Sequence, residues 1–363
     1  MGVYFITIIF MVLFCWLADR TLVKGFVRDL SRQEQLVRAQ KERKNVVFLI
    51  FILLAFVAAF RYKVGTDFHA YYRTQIWTSK FQEGDFNEFG FTVFANIASF
   101  LFQGRNGAVT ILSAIITVAL FVFTIAKRSD NLTVSMLLFI FVGCFTGLFN
   151  GVRQYLATAI LFSGFHFVQE KKFAKWLLVV LLASTFHSTA ILMVFIYFAC
   201  NVKSNGITIL IYCAIAFILL YFYENIFELI NFIKQEDVNF DTAYANRQVN
   251  IFRVLVQCVP LVMIPIVGAN KINEDNETRV LFNVCLLNAA LAIASMNSVY
   301  LARINIYTLC FQILMYPKVL KKASQTNKIV FTTLLLTFYF AFWFYEVWIS
   351  SNLNNFQWIF NYL

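Results

Sequence analysis

Charge and proline are both scarce in this chain. Only 13% of its 363 residues are Asp, Glu, Lys or Arg and 3 are proline, whereas 60% are hydrophobic. A soluble core cannot bury so many apolar side chains, and the mean hydropathy of +0.71 is typical of a polytopic membrane protein. The scarcity of proline favours long helices over barrel strands, which would alternate in polarity over about ten residues. We therefore predict an all-α fold, a polytopic transmembrane helix bundle that forms a single integral membrane domain over residues 1–363.

Several kinds of chemistry lack their usual residues. The seven cysteines all lie within apolar runs, where they behave as small hydrophobes and predict neither disulfides nor a metal site. The sequence has no P-loop, no glycine fingerprint for a dinucleotide and no zinc-spaced cluster of Cys or His. We expect no cofactor, so the energy for any reaction must come from an already activated substrate or from an ion gradient.

Topology explains the net charge of +11 better than nucleic-acid binding does. Apolar windows predict about twelve spans, some of them short or re-entrant, near residues 3–18, 45–60, 108–126, 131–149, 153–169, 173–186, 189–200, 206–223, 251–269, 280–297, 299–316 and 329–349. The positive-inside rule makes cytoplasmic the six connections that hold 20 of the 30 Lys and Arg residues, namely 19–44, 127–130, 170–175, 201–205, 270–279 and 317–328.

This topology makes demands on three ambiguous segments. Residues 61–103 must form an outer, periplasmic-side loop with an interfacial or re-entrant element. Residues 173–200 must turn back near His187, although one tilted helix over the whole stretch is the alternative. Residues 19–44 carry a basic amphipathic pattern, which predicts either a segment lying on the inner leaflet or a solvated cytoplasmic linker.

Strong polar residues inside or beside apolar runs are the candidates for chemistry. A charge near the middle of a bilayer costs roughly 3 kcal/mol, so residues retained there indicate function. Arg153 begins an apolar window, and its guanidinium can grip phosphate in a bidentate fork; a snorkelling interface anchor is the alternative. His187 lies among hydroxyl residues in the sequence STFHST, and a neutral imidazole can accept a proton from a hydroxyl group. A histidine that only hydrogen-bonds to the backbone is the alternative there.

Three further positions belong to the same set of candidates. A polar stripe recurs at helical spacing in one late window, formed by Asn297, Tyr300, Arg303 and Tyr307. We prefer anion binding by Arg303 to its pairing with a buried carboxylate. Arg253 flanks another span and either widens the same basic mouth or anchors lipid head groups. Asp67, in a Gly-Thr-Asp turn, either takes part in chemistry or caps a helix.

Five short motifs follow one another between the predicted spans. They are Arg61, Val64, Gly65, Asp67 and Tyr71; Glu88, Gly90 and Phe91; Arg153, Gln154 and Ala157; Phe186, His187 and Ala190; and Arg303, Tyr307 and Pro317. In this order they resemble the EpsG-like branch of the Wzy-type bacterial polysaccharide polymerases. The tail departs from the family, since residues 355–363 lack an expected Pro-Tyr pair.

The resemblance implies a metal-independent glycosyltransferase that joins undecaprenyl-diphosphate-linked oligosaccharides on the outer face of the bacterial inner membrane, for O-antigen, capsule or exopolysaccharide. Direct displacement would invert the anomeric centre. The resemblance and the residues together give as candidates the diphosphate-binding residues Arg153, Arg303, Arg61 and Arg253, the bases His187 and Asp67, and the supporting residues Gln154, Glu88, Tyr300 and Tyr307. Besides membrane lipids, the implied partners are a chain-length regulator and a flippase; nucleic acid is not expected.

Two other classes of protein remain compatible with these residues. A lipid-linked oligosaccharide flippase or transporter would also hold diphosphate with intramembrane arginines, although it should show repeated halves that this chain does not clearly show. A membrane acyltransferase that acts on polysaccharide would also use an accessible His and Arg.

Overall fold

The apolar runs of the chain fold into helices, because helices satisfy their own backbone hydrogen bonds where water is absent. A computed structural model describes residues 2–23, 32–82, 88–234, 249–261, 269–297 and 299–362. The first helices are α1 (Gly2–Val23), α2 (Arg32–Ala59), α3 (Phe68–Tyr72), α4 (Thr74–Gln82), α5 (Phe89–Leu101), α6 (Ala108–Arg128), α7 (Leu132–Phe141), α8 (Cys144–Gly147), α9 (Val152–Gly164) and α10 (His166–Gln169).

The second part of the chain continues in the same way. Its helices are α11 (Phe173–Phe186), α12 (Val194–Cys200), α13 (Gly206–Lys234), α14 (Ile251–Gln257), α15 (Ala269–Asn273), α16 (Asn276–Ala294), α17 (Val299–Leu309), α18 (Gln312–Leu320) and α19 (Gln325–Tyr345). A short strand β1 (Arg61–Tyr62) pairs antiparallel with β2 (Gln357–Trp358). The carboxy-terminal tail therefore returns to the end of α2.

The described parts of the predicted apolar windows coincide with helices, but some of these windows are broken. The window 131–149 is interrupted at Gly143, whose φ of +91° is left-handed and suits glycine, and the window 299–316 is interrupted between α17 and α18. Within the described residues, the helices long and apolar enough to cross a membrane are Gly2–Asp19, Ala108–Arg128, Asn276–Ala294 and Gln325–Ser350. The all-helical membrane fold is confirmed, whereas the number of about twelve spans stays a prediction.

The chain reverses direction at His187. Helix α11 ends just before this residue, which is extended (φ −152°, ψ 114°), and a short 3-10 turn then leads into α12. The indole of Trp176 donates a hydrogen bond to the carbonyl of Met193 at 3.0 Å, and the rings of Phe173 and Tyr197 lie 5.0 Å apart. The predicted turn is therefore confirmed, and the alternative of one continuous helix is wrong.

The basic connections meet at one end of the bundle, called here the basic end. The contacts that join them are Lys321 with Asp130 (2.7 Å), Lys322 with Asp275 (2.5 Å), Ser204 with Asn273 (2.9 Å), Asn276 with Gln169, and Arg43 with Ala126 (3.4 Å). This gathering agrees with a topology inferred from charge alone, while the side of the membrane that the basic end faces stays a prediction. The amphipathic segment predicted at 19–44 comprises the end of α1 and the start of α2, and its residues 24–31 lie outside the described residues.

The segment 61–103 packs at the opposite end. The amide of Gly107, at the start of α6, donates to the carbonyl of Tyr72 at 2.6 Å, whereas the last turn of α6 lies at the basic end. A helix of this length separates its two ends by about 30 Å. Short helices α3, α4 and α5 therefore cover the end of the bundle far from the basic connections, as an outer loop element would.

A buried network of amide and hydroxyl groups ties together the helices of the carboxy-terminal part. Asn288 donates to Asn305 and to the Thr308 hydroxyl at 2.9 Å, and its oxygen accepts from Gln312 at 2.9 Å. Tyr339 of α19 donates to Gln312 at 2.6 Å. All five side chains are at most 3% exposed. Since a buried polar group without a partner is costly, these paired groups fix how α16–α19 pack against one another.

The change Asn288→Ala tests this packing role. It removes the partner of three buried polar groups at once, so we expect a loss of about 1–3 kcal/mol and a lower unfolding temperature in detergent. Thr333→Ala, at an exposed position of α19, is the matched control and should leave the unfolding temperature unchanged. Equal unfolding temperatures for wild type and Asn288→Ala would contradict the role of the network.

Candidate active site

The carboxylate of Glu88 bridges two of the sequence-predicted site residues. One oxygen, Oε2, forms an ion pair with Nη1 of Arg153, and the other, Oε1, lies 2.5 Å from Nδ1 of His187. Oε1 also accepts a hydrogen bond from the amide of Ser188 at 3.2 Å. Residues separated by 65 and 99 positions in the chain are thereby held around one carboxylate. We call Glu88, Arg153, His187 and Tyr71 the Glu88 cluster.

Local backbone geometry places Glu88 where it can reach both partners. The residue precedes α5 with φ 54° and ψ 48°, in the left-handed region that is uncommon for a side chain other than glycine. Two residues later, a Cβ at Gly90 would lie 2.2 Å from the hydroxyl of Thr185. Glycine at this position lets α5 approach the end of α11 closely, and this approach brings Glu88 beside His187.

The surroundings of Glu88 keep it ionised. Burial alone would raise the pKa of the carboxyl, but the hydrogen bond from His187, the charge of Arg153 and the amide of Ser188 outweigh burial and lower its pKa. An ionised carboxylate can only accept hydrogen bonds, so Nδ1 of His187 carries the proton that lies between the two groups. Whenever the imidazole is neutral, its lone pair is therefore on Nε2.

Arg153 is fixed by contacts of two of its three guanidinium nitrogens. Nε donates to the Tyr71 hydroxyl at 3.0 Å, Nη1 binds Glu88, and the guanidinium carbon lies 4.9 Å from the ring centroid of Trp77. Nη2 makes no hydrogen bond to any described residue, and 31% of the side chain remains exposed. These contacts are with protein groups, so they do not support a role as a snorkelling anchor.

His187 is held from one side and accessible from the other. Nδ1 binds Glu88, and Nε2 has no hydrogen-bond partner within the described part of the chain. The His187 side chain is 19% exposed, compared with 11% for Glu88. The bridging carboxylate is thus the more deeply buried group, and the two groups that it orients keep an accessible edge.

Helix α17 joins the same region. The hydroxyls of Tyr307 and Thr189 are 2.8 Å apart, and Gln154 donates to the backbone carbonyl of Arg303 at 2.5 Å. Because Thr189 follows His187 by two residues, Tyr307 lies beside the Glu88 cluster. The Arg303 side chain is exposed. Of the predicted stripe on this helix, the side chain of Tyr300 lies outside the described residues.

Asp67 lies next to the Glu88 cluster without joining it. Its charge acts on Tyr71, but its carboxylate accepts a hydrogen bond from Thr66 at 3.1 Å and makes no contact with His187. It also makes no side-chain capping hydrogen bond at the start of α3, so the capping interpretation is wrong. The neighbouring loop is fixed instead by Asn150, whose side-chain oxygen accepts from the amide of Thr66 at 2.8 Å.

Arg61 and Arg253 have their own binding partners. Arg61 is 1% exposed, donates to the carbonyl of Ala58 at the end of α2 and lies 4.7 Å from the ring centroid of Phe149. A cation at a helix carboxyl end interacts favourably with the helix dipole, which is a structural role. Arg253 donates to one oxygen of Glu346, from Nε at 2.9 Å and from Nη2 at 2.5 Å. The charge of Arg253 is therefore neutralised by protein.

The central role of Glu88 is what sequence reasoning missed. The residue was expected only to support the site, and Trp77, which packs under Arg153, was not singled out. The sequence signal that points to Glu88 is its charge. It is a carboxylate at the start of a short apolar helix, in a segment that the topology places at the same end as Arg153 and His187. Among the described residues, no group of three or more His, Cys, Asp or Glu side chains could hold a metal ion.

Four of the five motifs therefore contribute to one site, through Tyr71, Glu88, Arg153 with Gln154, and His187, with Tyr307 of the fifth motif beside them. The model of the EpsG family matches residues 44–362, which include all of these positions. The chain belongs to the EpsG family. No curated protein and no solved structure matches it. Membership in the EpsG family, together with the apolar helices, supports a membrane protein of polysaccharide biosynthesis.

The lowered pKa of Glu88 predicts how acid affects the site. A carboxylate whose pKa falls on folding contributes stability that is present above its ordinary value of 4.5 and is lost as the pH falls through the lower folded value. We expect wild type to unfold at a higher temperature than Glu88→Gln at pH 7, and this difference to close well below pH 4.5. Thermal unfolding in detergent between pH 7 and pH 3 measures it, and a difference independent of pH would contradict the ion pairing.

Proposed function

We propose that this EpsG-family chain is a polysaccharide polymerase. It would join undecaprenyl-diphosphate-linked oligosaccharide repeat units by glycosyl transfer, on the outer face of the bacterial cytoplasmic membrane, for O-antigen, capsule or exopolysaccharide. The single observation that carries this proposal is the Glu88 bridge, which holds a cationic phosphate ligand and a proton acceptor side by side. Family membership supplies the context of polysaccharide synthesis.

The growing-chain donor would be bound through its diphosphate. Arg153 is permanently charged, oriented by Tyr71 and Glu88, and retains Nη2 for a phosphate oxygen. Arg303, exposed on the neighbouring helix, would supply a second guanidinium. We leave Arg61 and Arg253 out of the proposed diphosphate site, because one is buried against a carbonyl and the other is paired with Glu346.

The transfer step needs one base and one leaving group. The hydroxyl oxygen of the incoming repeat unit attacks the anomeric carbon of the donor sugar, and Nε2 of His187 takes the hydroxyl proton. The bond from the anomeric carbon to phosphate oxygen breaks, and the lipid diphosphate leaves with the bonding electrons. Arg153 and Arg303 stabilise the charge that accumulates on the leaving group. Since one displacement occurs, the anomeric configuration inverts.

Glu88 would act through its two partners rather than on the substrate. By accepting the Nδ1 proton of His187, it selects the tautomer whose Nε2 can act as a base, and it stabilises the imidazolium that forms. Its negative charge also offsets that of Arg153, which lowers the cost of holding a partly buried cation there.

Replacement of Arg153 tests the diphosphate ligand. Arg153→Ala should reduce chain extension by on the order of 100-fold or more, because a donor aimed at the developing charge is lost. Arg153→Lys keeps the charge but not the fork and should recover only part of the activity. Purified protein with labelled repeat-unit lipid gives the rate as a ladder of products. Arg105→Ala, which removes an exposed arginine at the same end of the bundle, is the matched control.

The same reconstituted assay separates the classes of function. Formation of a product ladder supports the polymerase, whereas movement of labelled lipid across the bilayer without a ladder indicates a flippase, and acyl transfer indicates an acyltransferase. Normal polymer length from Arg153→Ala at wild-type abundance would end the diphosphate assignment.

The choice of base is tested by His187→Gln against Asp67→Asn. Glutamine keeps much of the side-chain volume but cannot accept the proton, so we expect a loss of on the order of 100-fold for His187→Gln. Asp67→Asn should retain most turnover, since its carboxylate makes no contact with His187. Initial rates of polymerisation at saturating donor measure both. Substantial turnover by His187→Gln would exclude it as the base and return Asp67 to consideration.

A further inference from the structure

A groove at the basic end of the bundle combines an apolar wall with a cationic rim. It has a volume of about 290 Å³ and lies between α6 and the corner where α9 passes into α10. Leu120 and Phe123 line its apolar part, and Phe123 is 44% exposed on the surface of the bundle. Lys127, Arg128 and His166 line the other part. The groove is remote from the Glu88 cluster, since α6 separates the two ends.

The positive charge of this rim is not neutralised by the described protein. Lys127 and Arg128 form no ion pair with any described residue, and their charges act on His166. Arg43 adds a further cation where it donates to the carbonyl of Ala126. The carboxylate of Glu170 also acts on His166, but it lies 2.6 Å from the ammonium group of Lys172.

The donors of the rim are directed by local structure. Nδ1 of His166 lies 3.1 Å from the carbonyl of Ser163 and donates to it, so Nε2 of the neutral ring bears a lone pair and His166 lines the groove without donating to an anion. Lys127 is exposed and Arg128 half-buried on the last turn of α6, next to the apolar wall formed by the preceding turns. Along α6, apolar side chains are thus followed by cations. This order matches a ligand in which a phosphate group adjoins a hydrocarbon chain.

We propose that the groove binds an anionic phospholipid of the adjacent leaflet, with the phosphate at Lys127 and Arg128 and the first part of one acyl chain along Leu120 and Phe123. Pockets for entire small ligands measure about 300–1,000 Å³, so a groove at the lower limit takes only the phosphate and the start of a chain. The remainder of the lipid stays in the bilayer. Snorkelling of lysine and arginine toward head groups would need no such concave site.

The test uses the full-length protein in detergent and native mass spectrometry, with phosphatidylglycerol and phosphatidylcholine as probes. Wild type should retain phosphatidylglycerol in preference to phosphatidylcholine. The double variant Lys127→Gln/Arg128→Gln should lose about fivefold in apparent affinity for phosphatidylglycerol per charge removed. The double variant Lys203→Gln/Lys328→Gln removes two charges from the same end outside the groove and should bind like wild type.

A variant that changes the shape of the groove distinguishes lipid binding in the groove from general electrostatic attraction to the leaflet. Ala119→Trp fills the groove while every charge is kept, and it should weaken phosphatidylglycerol binding as strongly as the double variant does. Unfolding temperatures establish that the variants are folded. The proposal is overturned if Ala119→Trp binds like wild type, if the two double variants lose affinity equally, or if the two probe lipids bind wild type alike.

Discussion

The carboxylate of Glu88 is the group on which the arrangement of the candidate site depends. A partly buried guanidinium and an imidazole would repel each other whenever the imidazole is protonated, and each would be costly to desolvate alone. Glu88 gives each of them one oxygen, so Arg153 and His187 are held together by a charge of opposite sign. Because the carboxylate stays ionised, it also fixes which nitrogen of His187 bears the proton. The side chain of Glu88 thus determines the positions of Arg153 and His187, balances positive charge and selects the tautomer of the imidazole.

The fold positions this carboxylate with short and interrupted helices. A continuous helix would not end within the candidate site. Helix α11 instead ends just before His187, and α5 begins just after Glu88, beside it. Gly90 permits that approach, since any larger side chain would meet Thr185. The left-handed backbone at Glu88 has a steric cost, which its three hydrogen-bonding partners offset. Hydropathy alone would treat these short, interrupted helices as weak membrane spans. Their ends are nevertheless the parts of the fold that bring the candidate site residues together.

Sequence patterns predicted the helices well because hydropathy acts on each segment separately. Charge bias likewise grouped the basic connections, and the topology inferred from it correctly required a reversal of the chain near His187. Pairing between segments carries no such local signal. Nothing in an apolar window shows that Asn288 will meet Asn305 and Gln312, or that the conspicuous Arg61 will be buried against a carbonyl. Glu88 was underrated for the same reason, since its partners lie 65 and 99 residues away.

The Lys and Arg side chains of this protein differ chiefly in how fully they are paired with carboxylates. With 30 basic and 19 acidic residues, not every Lys or Arg can have a carboxylate of its own. Arg253 donates two hydrogen bonds to Glu346, and Lys322 forms an ion pair with Asp275, so these cations hold elements of the fold together. Arg153 binds Tyr71 through Nε and Glu88 through Nη1, and Nη2 has no partner in the described structure, so the group is oriented and still able to bind an anion. A guanidinium oriented by protein but not saturated by it would suit the proposed recognition of a lipid diphosphate, because its orientation is already fixed when the anion arrives.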